Sequence, residues 1–348
     1  MSGAASAAEP PVEELWELYE AAVASVLAGG ELPGSWPLIR DRLDAATGQK
    51  DGWASGLAWH TDLDAATAEA RATGRAVLSL RMLGRLDEDL SCANSRLFRT
   101  LLYPDPAVNA VLRERYVLHW LSVRDVPVMT IDAGDGRLLR RTVTGNSLHL
   151  VIDPADGKVT DVMPGLVDAA TFASWLTDAA DSSAERFARV AAEQRTWQPV
   201  RFGDDEEVAM QLAVSKVVME GPAFDAIRGG DGGVGGVVLN PNSDLSPAPP
   251  LSSRVVGLLR IKEGGDVEAK VQRLRRTLSG DKRVNTTELR PQIAAMVAAE
   301  PALMDDPDAL VRRVYAEVFR FDLDDPWAGL VDPDVFVAID DAGVAGSE

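Results

Sequence analysis

The chain has 348 residues, of which 46% are hydrophobic and 26% charged, enough apolar material to build real cores. Its 54 acidic and 35 basic side chains give a formal net charge of −19, which repels phosphate backbones and anionic lipid and disfavours nucleic-acid or membrane-surface binding. A single cysteine, Cys92, excludes an intrachain disulfide and any cysteine-rich metal cluster.

At ~150 residues per domain the length suggests two domains. No run reaches the ~18 apolar residues of a spanning helix. Met1 to Pro11 has neither the basic nor the apolar region of a secretory signal. The expectation is a reduced, cytoplasmic protein. Arginine far outnumbering lysine, with abundant Ala, Val and Asp, points to the coding bias of a GC-rich bacterial genome.

The periodicity of Leu15, Leu18, Tyr19, Ala22, Val23 and Val26 predicts a helix over Val12 to Ala28, stopped by Gly29 and Gly30. Leu32 to Gly56 mixes Pro, Gly and Trp around a short helix. Asp62 is placed to cap a helix running to Thr73 and ended by Gly74. Arg75 to Met82 reads as a buried strand, and after the acidic loop Asp87-Glu88-Asp89 a helix starts at Cys92-Ala93-Asn94-Ser95. A helix over Pro106 to Arg115 and a strand over Tyr116 to Val123 follow. Ser147 to Ile152 and Lys158 to Met163 form a hairpin turned by Asp156-Gly157, and Thr171 to Ala180 is the closing helix. Strands alternating with helices and ending in a hairpin imply a mixed α/β sheet covered on both faces. Helical patterns then run over Ser182 to Glu220, Val267 to Leu278, Thr287 to Ala299 and Pro307 to Phe319, interrupted by a Gly/Pro-rich loop over 229–250. The expected organisation is a helical extension (1–56), an α/β domain (57–180) and a mainly helical C-terminal domain (181–348).

The stretch from Leu57 to Ala180, about a third of the chain, resembles the thioredoxin family. Cys92-Ala93-Asn94-Ser95 stands where that family has Cys-x-x-Cys after its first central strand. Gly145-Asn146-Ser147-Leu148-His149 followed by Asp156-Gly157 looks like its proline-containing strand and hairpin, and Met163-Pro164-Gly165-Leu166 with Phe172, Trp175 and Leu176 matches the end of the domain. The resemblance implies a thioredoxin-like mixed sheet flanked by helices. It departs from the family pattern at two places: Ser95 replaces the resolving cysteine and Ser147 the proline beside the active site. Without the second thiol a mixed disulfide is not released by internal attack. The segments Val314-Tyr315-Ala316-Glu317-Val318-Phe319 and Asp325-Pro326-Trp327-Ala328-Gly329-Leu330 resemble the tails of bacterial proteins that carry a thioredoxin-like domain, and imply no activity.

Two functions follow. A complete fold pattern with an incomplete redox site points first to a protein-interaction or scaffold component, with a protein partner and no cofactor or metal. The alternative is monothiol exchange or mixed-disulfide formation, with Cys92 as nucleophile, the Ser95 hydroxyl donating to its sulfur, Ser147 flanking the substrate, and Arg96 and Arg99 opposing the acidic loop. Other chemistry is thinner. His119 and His149 sit on expected neighbouring strands and a pair could ligate metal or act as a base, although a hydrogen-bonded structural histidine is the commoner outcome; nothing marks His60. The glycine cluster 229–236 lacks the Gly-Lys-Ser/Thr ending of a phosphate loop. Asp204 to Glu207 and Asp322 to Asp325 lack EF-hand spacing, and no hydrolase motif is present. Most of the eight tryptophans are expected to be core or interdomain anchors.

Overall fold

Ala76–Leu83 (β1) is apolar along nearly its whole length, and seven of its eight residues are buried, as expected of a strand covered on both faces. In the computed structural model, which describes residues 11–142, 146–181, 183–193 and 250–326, β1 is the centre of a four-stranded mixed sheet. Tyr116–Arg124 (β2) runs parallel to it, Ser147–Ile152 (β5) antiparallel, and Val159–Pro164 (β6) antiparallel to β5, giving the order β2-β1-β5-β6. The parallel pair requires a crossover, made by Ala93–Leu97 (α5), a π-turn at Phe98–Leu102 and Pro106–Arg115 (α6).

Upstream lie Val12–Leu27 (α1), Trp36–Thr47 (α2), Gly52–Ser55 (α3) and Leu63–Thr73 (α4). Asp62 caps α4 by accepting from Ala65 N–H, and Gly74 ends it in the left-handed region, both as expected. Leu18 departs from the expected apolar face of α1 and is 43% exposed. Downstream of the sheet are Ala169–Ala179 (α7), Ala184–Glu193 (α8), Ser253–Glu263 (α9), Glu268–Val284 (α10), Arg290–Ala299 (α11) and Pro307–Arg313 (α12). A second π-turn, Asn285–Leu289, joins α10 to α11, and a third, Val314–Val318, follows α12. The expected loop at 229–250 and the helical stretch beyond Glu193 lie outside the described residues, apart from Pro250.

Two elements escaped the sequence patterns. The first is a separate two-stranded hairpin, Val128–Asp132 (β3) with Leu138–Thr142 (β4). Both faces are largely solvated, so no apolar alternation marks it. The second is α9, whose apolar residues serve two cores at once. Val255 and Leu259 join the main cluster, while Leu258 and Ile261 join a smaller one built on Leu15, Tyr19, Trp36, Ile39 and Trp53. The main cluster runs without a break from Leu57 through the sheet to Phe321.

Gly165 shows how closely the C-terminal helices approach the sheet. Its φ of +60° is a conformation L side chains rarely adopt, and Asn285 occupies the space a Cβ would take while donating from Nδ2 to Leu166 O at 2.7 Å. Gly165→Ala is therefore expected to destabilise the fold by about 2–3 kcal/mol, from backbone strain plus a displaced buried hydrogen bond. Urea unfolding checks this; a loss under about 0.5 kcal/mol would mean that the Asn285 contact does not hold the helices in place.

Candidate functional site

Gly84 follows β1, and its φ of +71° lets the chain turn beneath Val126 while its N–H donates to Arg124 O at 2.8 Å. The acidic loop closes back on the strand through Cys92 N–H to Leu83 O at 3.2 Å. The first two loop acids do not face the thiol: Asp87 and Glu88 pair with Arg85 at the surface. Asp89 lies 3.9 Å from Lys50.

Cys92 is the N-cap of α5, with extended backbone, and its sulfur accepts from the Ser95 N–H at 3.4 Å. Its relative exposure is 0%. The sulfur therefore satisfies one of the free N–H groups that open every helix. The Ser95 side chain does something other than expected. Its hydroxyl lies 2.8 Å from both the Cys92 carbonyl and Ser91 Oγ, so it braces the turn and does not donate to sulfur. Ser147, buried at the start of β5, is brought to the same place through Asn94, whose Nδ2 donates to Ser147 Oγ at 3.1 Å. Cys92, Ser95 and Ser147 thus converge on one end of the sheet, joined by a residue to which the sequence assigned no role.

Tyrosines enclose this end. Burial, then the proximity of Cys92, pushes the hydroxyls of Tyr103 and Tyr315 well above the usual tyrosine range. Tyr315 comes from the π-turn after α12 and donates to Asn146 O, beside Ser147, at 2.9 Å. The sequence carried the Tyr315 motif without assigning it a place, because contact across nearly 170 positions leaves no local pattern. The same holds for Arg81. It is 2% exposed on β1, and it donates to Ser79 Oγ at 3.1 Å and to Asp308 Oδ1, at the start of α12, at 2.8 Å.

Arg96 and Arg99 go separate ways. Arg96 donates to Thr142 Oγ1 at 2.9 Å. Arg99 is 1% exposed and donates from Nη1 to Leu86 O and Glu88 O at 2.8 Å, with its Nε 3.6 Å from Asp51 Oδ2. Burial pushes it below the usual arginine range, and Asp51 opposes that shift.

The histidines do not form a pair. β1 lies between their strands, with Ser79 in register with His119 and Leu80 with His149. Successive strand residues face opposite ways, so the two rings lie on opposite faces. His119 Nδ1 is 2.8 Å from Ser79 Oγ. His149 Nε2 is 2.8 Å from the Tyr103 hydroxyl, in a shell of Phe98, Phe172 and Trp175. Burial lowers their pKa values to about 4 and about 3, with Arg81 adding to the shift at His119. His60 pairs with Glu69 at 2.8 Å and bridges the outer edge of β2 at His119.

Trp36, Trp53, Trp59, Trp120 and Trp175 are buried, as anchors should be; Trp197 and Trp327, the glycine cluster and Asp204 to Glu207 lie outside the described residues. Among the described residues no group of three or more His, Cys, Asp or Glu could hold a metal, and no helix is long and apolar enough to cross a membrane. No family model, curated protein or solved structure matches the chain.

Proposed function

We propose that this is a thioredoxin-like protein whose thiol centre now serves the fold, and that it acts as a protein-interaction or scaffold component. The strand order β2-β1-β5-β6, with one parallel and two antiparallel pairings and Cys92 opening the crossover helix, supports the family assignment. The observation that carries the functional reading is the enclosure of Cys92. Its sulfur is spent on a helix cap inside the core, and Tyr315 reaches the adjoining backbone from the C-terminal helices. A nucleophilic thiol has to meet its substrate, and reactive cysteines sit in partly exposed surroundings.

The β3–β4 hairpin supplies the contact surface. It stands apart from the main sheet, with both outer edges unpaired among the described residues. On one face it presents Val128 and Leu138, 38% and 62% exposed. Strand edges and exposed apolar side chains are what a protein partner engages.

Alkylation of the native protein by iodoacetamide tests the thiol. Cys92 is expected to react only as fast as the protein unfolds, at least a hundredfold slower than in urea. Cys92→Ser keeps an acceptor at the cap, so its stability should stay within about 1 kcal/mol of wild type and its co-purified partners should be unchanged. Rapid alkylation near neutral pH, or loss of partners on that substitution, would return the protein to monothiol chemistry.

A further inference from the structure

Outside the thiol region, the back of the crossover helix faces α9 and α10 across a cavity of about 450 Å³. Among the described residues its walls carry five cations, Arg96 and Arg99 from the crossover, Lys262 from α9, and Lys270 and Arg273 from α10, against two anions, Asp89 and Glu263. In a chain of net charge −19 this is a local reversal of sign. Leu97, Leu259 and Leu274 supply apolar lining between the charges.

Among the described residues, the charges of Arg99, Lys262, Lys270 and Arg273 are only partly paired. Arg99 and Lys262 share the carboxylate of buried Asp51, and Asp89 also acts on Arg99; counting Asp51 with Asp89 and Glu263, the five cations face three carboxylates. Arg99 is almost wholly buried, and its Nε has no hydrogen-bond partner. Lys270 pairs with Glu263 at 2.7 Å, but both are exposed, so that attraction is weak. Arg273 makes no hydrogen bond or ion pair among the described residues. Basic side chains from three elements converging on one concavity, in excess of its carboxylates, form a binding site for negative charge. The apolar lining requires more of the ligand than charge alone.

We propose that this cavity binds a small organic anion carrying two or more negative charges on an apolar body, as a phosphate monoester or a dicarboxylate does. The site does not involve the sulfur of Cys92, so it stands or falls separately from the state of the thiol. The volume lies within the range of small-molecule sites, ~300–1,000 Å³.

Calorimetric titration of the full chain with phenyl phosphate, phthalate, inorganic phosphate and benzyl alcohol tests it. At least one of the two aromatic dianions is expected to bind at least tenfold more tightly than inorganic phosphate, and the better one identifies the head group. Benzyl alcohol is expected to show no binding. The preferred dianion should raise Tm by roughly 5 °C at hundredfold excess over Kd. Lys270→Glu with Arg273→Glu, both at exposed positions, should weaken binding at least tenfold, whereas Arg137→Glu at the hairpin tip should leave it unchanged. No preference for either aromatic dianion over phosphate, or equal binding by the double variant, overturns the proposal. Cys92 alkylation bears on the thiol reading alone, so the two can fail separately.

Discussion

Lowering the pH from 7.5 to 5 is expected to remove about 4 kcal/mol of folding stability through His119 and His149 alone. Both imidazoles are held neutral in the folded protein, with pKa values brought down to about 4 and about 3 by burial. The unfolded chain protonates them near pH 6.5, so below that value it binds two protons that the native state refuses. Each site then contributes a loss of about 1.4 kcal/mol per pH unit, beginning near pH 6.5 and ending at its folded pKa. Buried Asp44 and half-buried Glu288 act in the opposite direction: burial raises their pKa values, so they take up protons in the native state first and offset part of the loss. The clean measurement is therefore a difference. His149→Phe keeps a ring of similar shape within the shell of Phe98, Phe172 and Trp175, and it should lose about 2 kcal/mol less than wild type between pH 7.5 and 5. Parallel pH profiles from urea unfolding would show that His149 already takes up its proton in the native state.

Tyr315→Ala is expected to destabilise the protein by about 3–5 kcal/mol, as deletion of a large buried aromatic side chain does. That is a large share of the roughly 5–15 kcal/mol that holds a typical domain together. It should also speed alkylation of Cys92 at least tenfold under conditions where the variant remains folded, because the ring contributes to the enclosure of the thiol. Tyr315→Phe removes only the donation to Asn146 O, should lose about 1 kcal/mol, and should leave the thiol protected. If the alanine variant is folded and its thiol remains as slow as wild type, Tyr315 is a core residue and does not shield the site. Circular dichroism and native-state alkylation decide between these outcomes.

The sheet was legible from sequence because its strands are buried on both faces. Ala76 to Leu80, Tyr116 to Trp120 and Leu148 to Ile152 are apolar runs bounded by recognisable caps and turns, and the observed strands fall within a residue of expectation. The β3–β4 hairpin was not legible, since a solvated two-stranded ribbon has no face to bury and hence no pattern. Among site residues, Cys92 at a helix start was legible in the sequence, and its convergence with Ser147 was implied only by the resemblance to the thioredoxin family. The target of the Ser95 hydroxyl was not legible, because a rotamer choice among nearby acceptors depends on local packing. The separation of His119 from His149 turned on strand order: with β1 between their strands, a one-residue difference in register puts the rings on opposite faces.

Local chemistry settled a good deal by itself. A lone cysteine rules out an internal disulfide, Asp62 and Gly74 set the limits of α4, and strands alternating with helices and then closing in a hairpin imply a mixed sheet, because these patterns lie in neighbouring stretches of chain. Tertiary structure alone decided that the thiol is enclosed, that buried Arg81 meets the exposed Asp308 from more than two hundred positions away, and that five cations gather around one cavity in an acidic chain. Burial and desolvation depend on which distant segments pack together, and that partner choice is made by the whole fold at once.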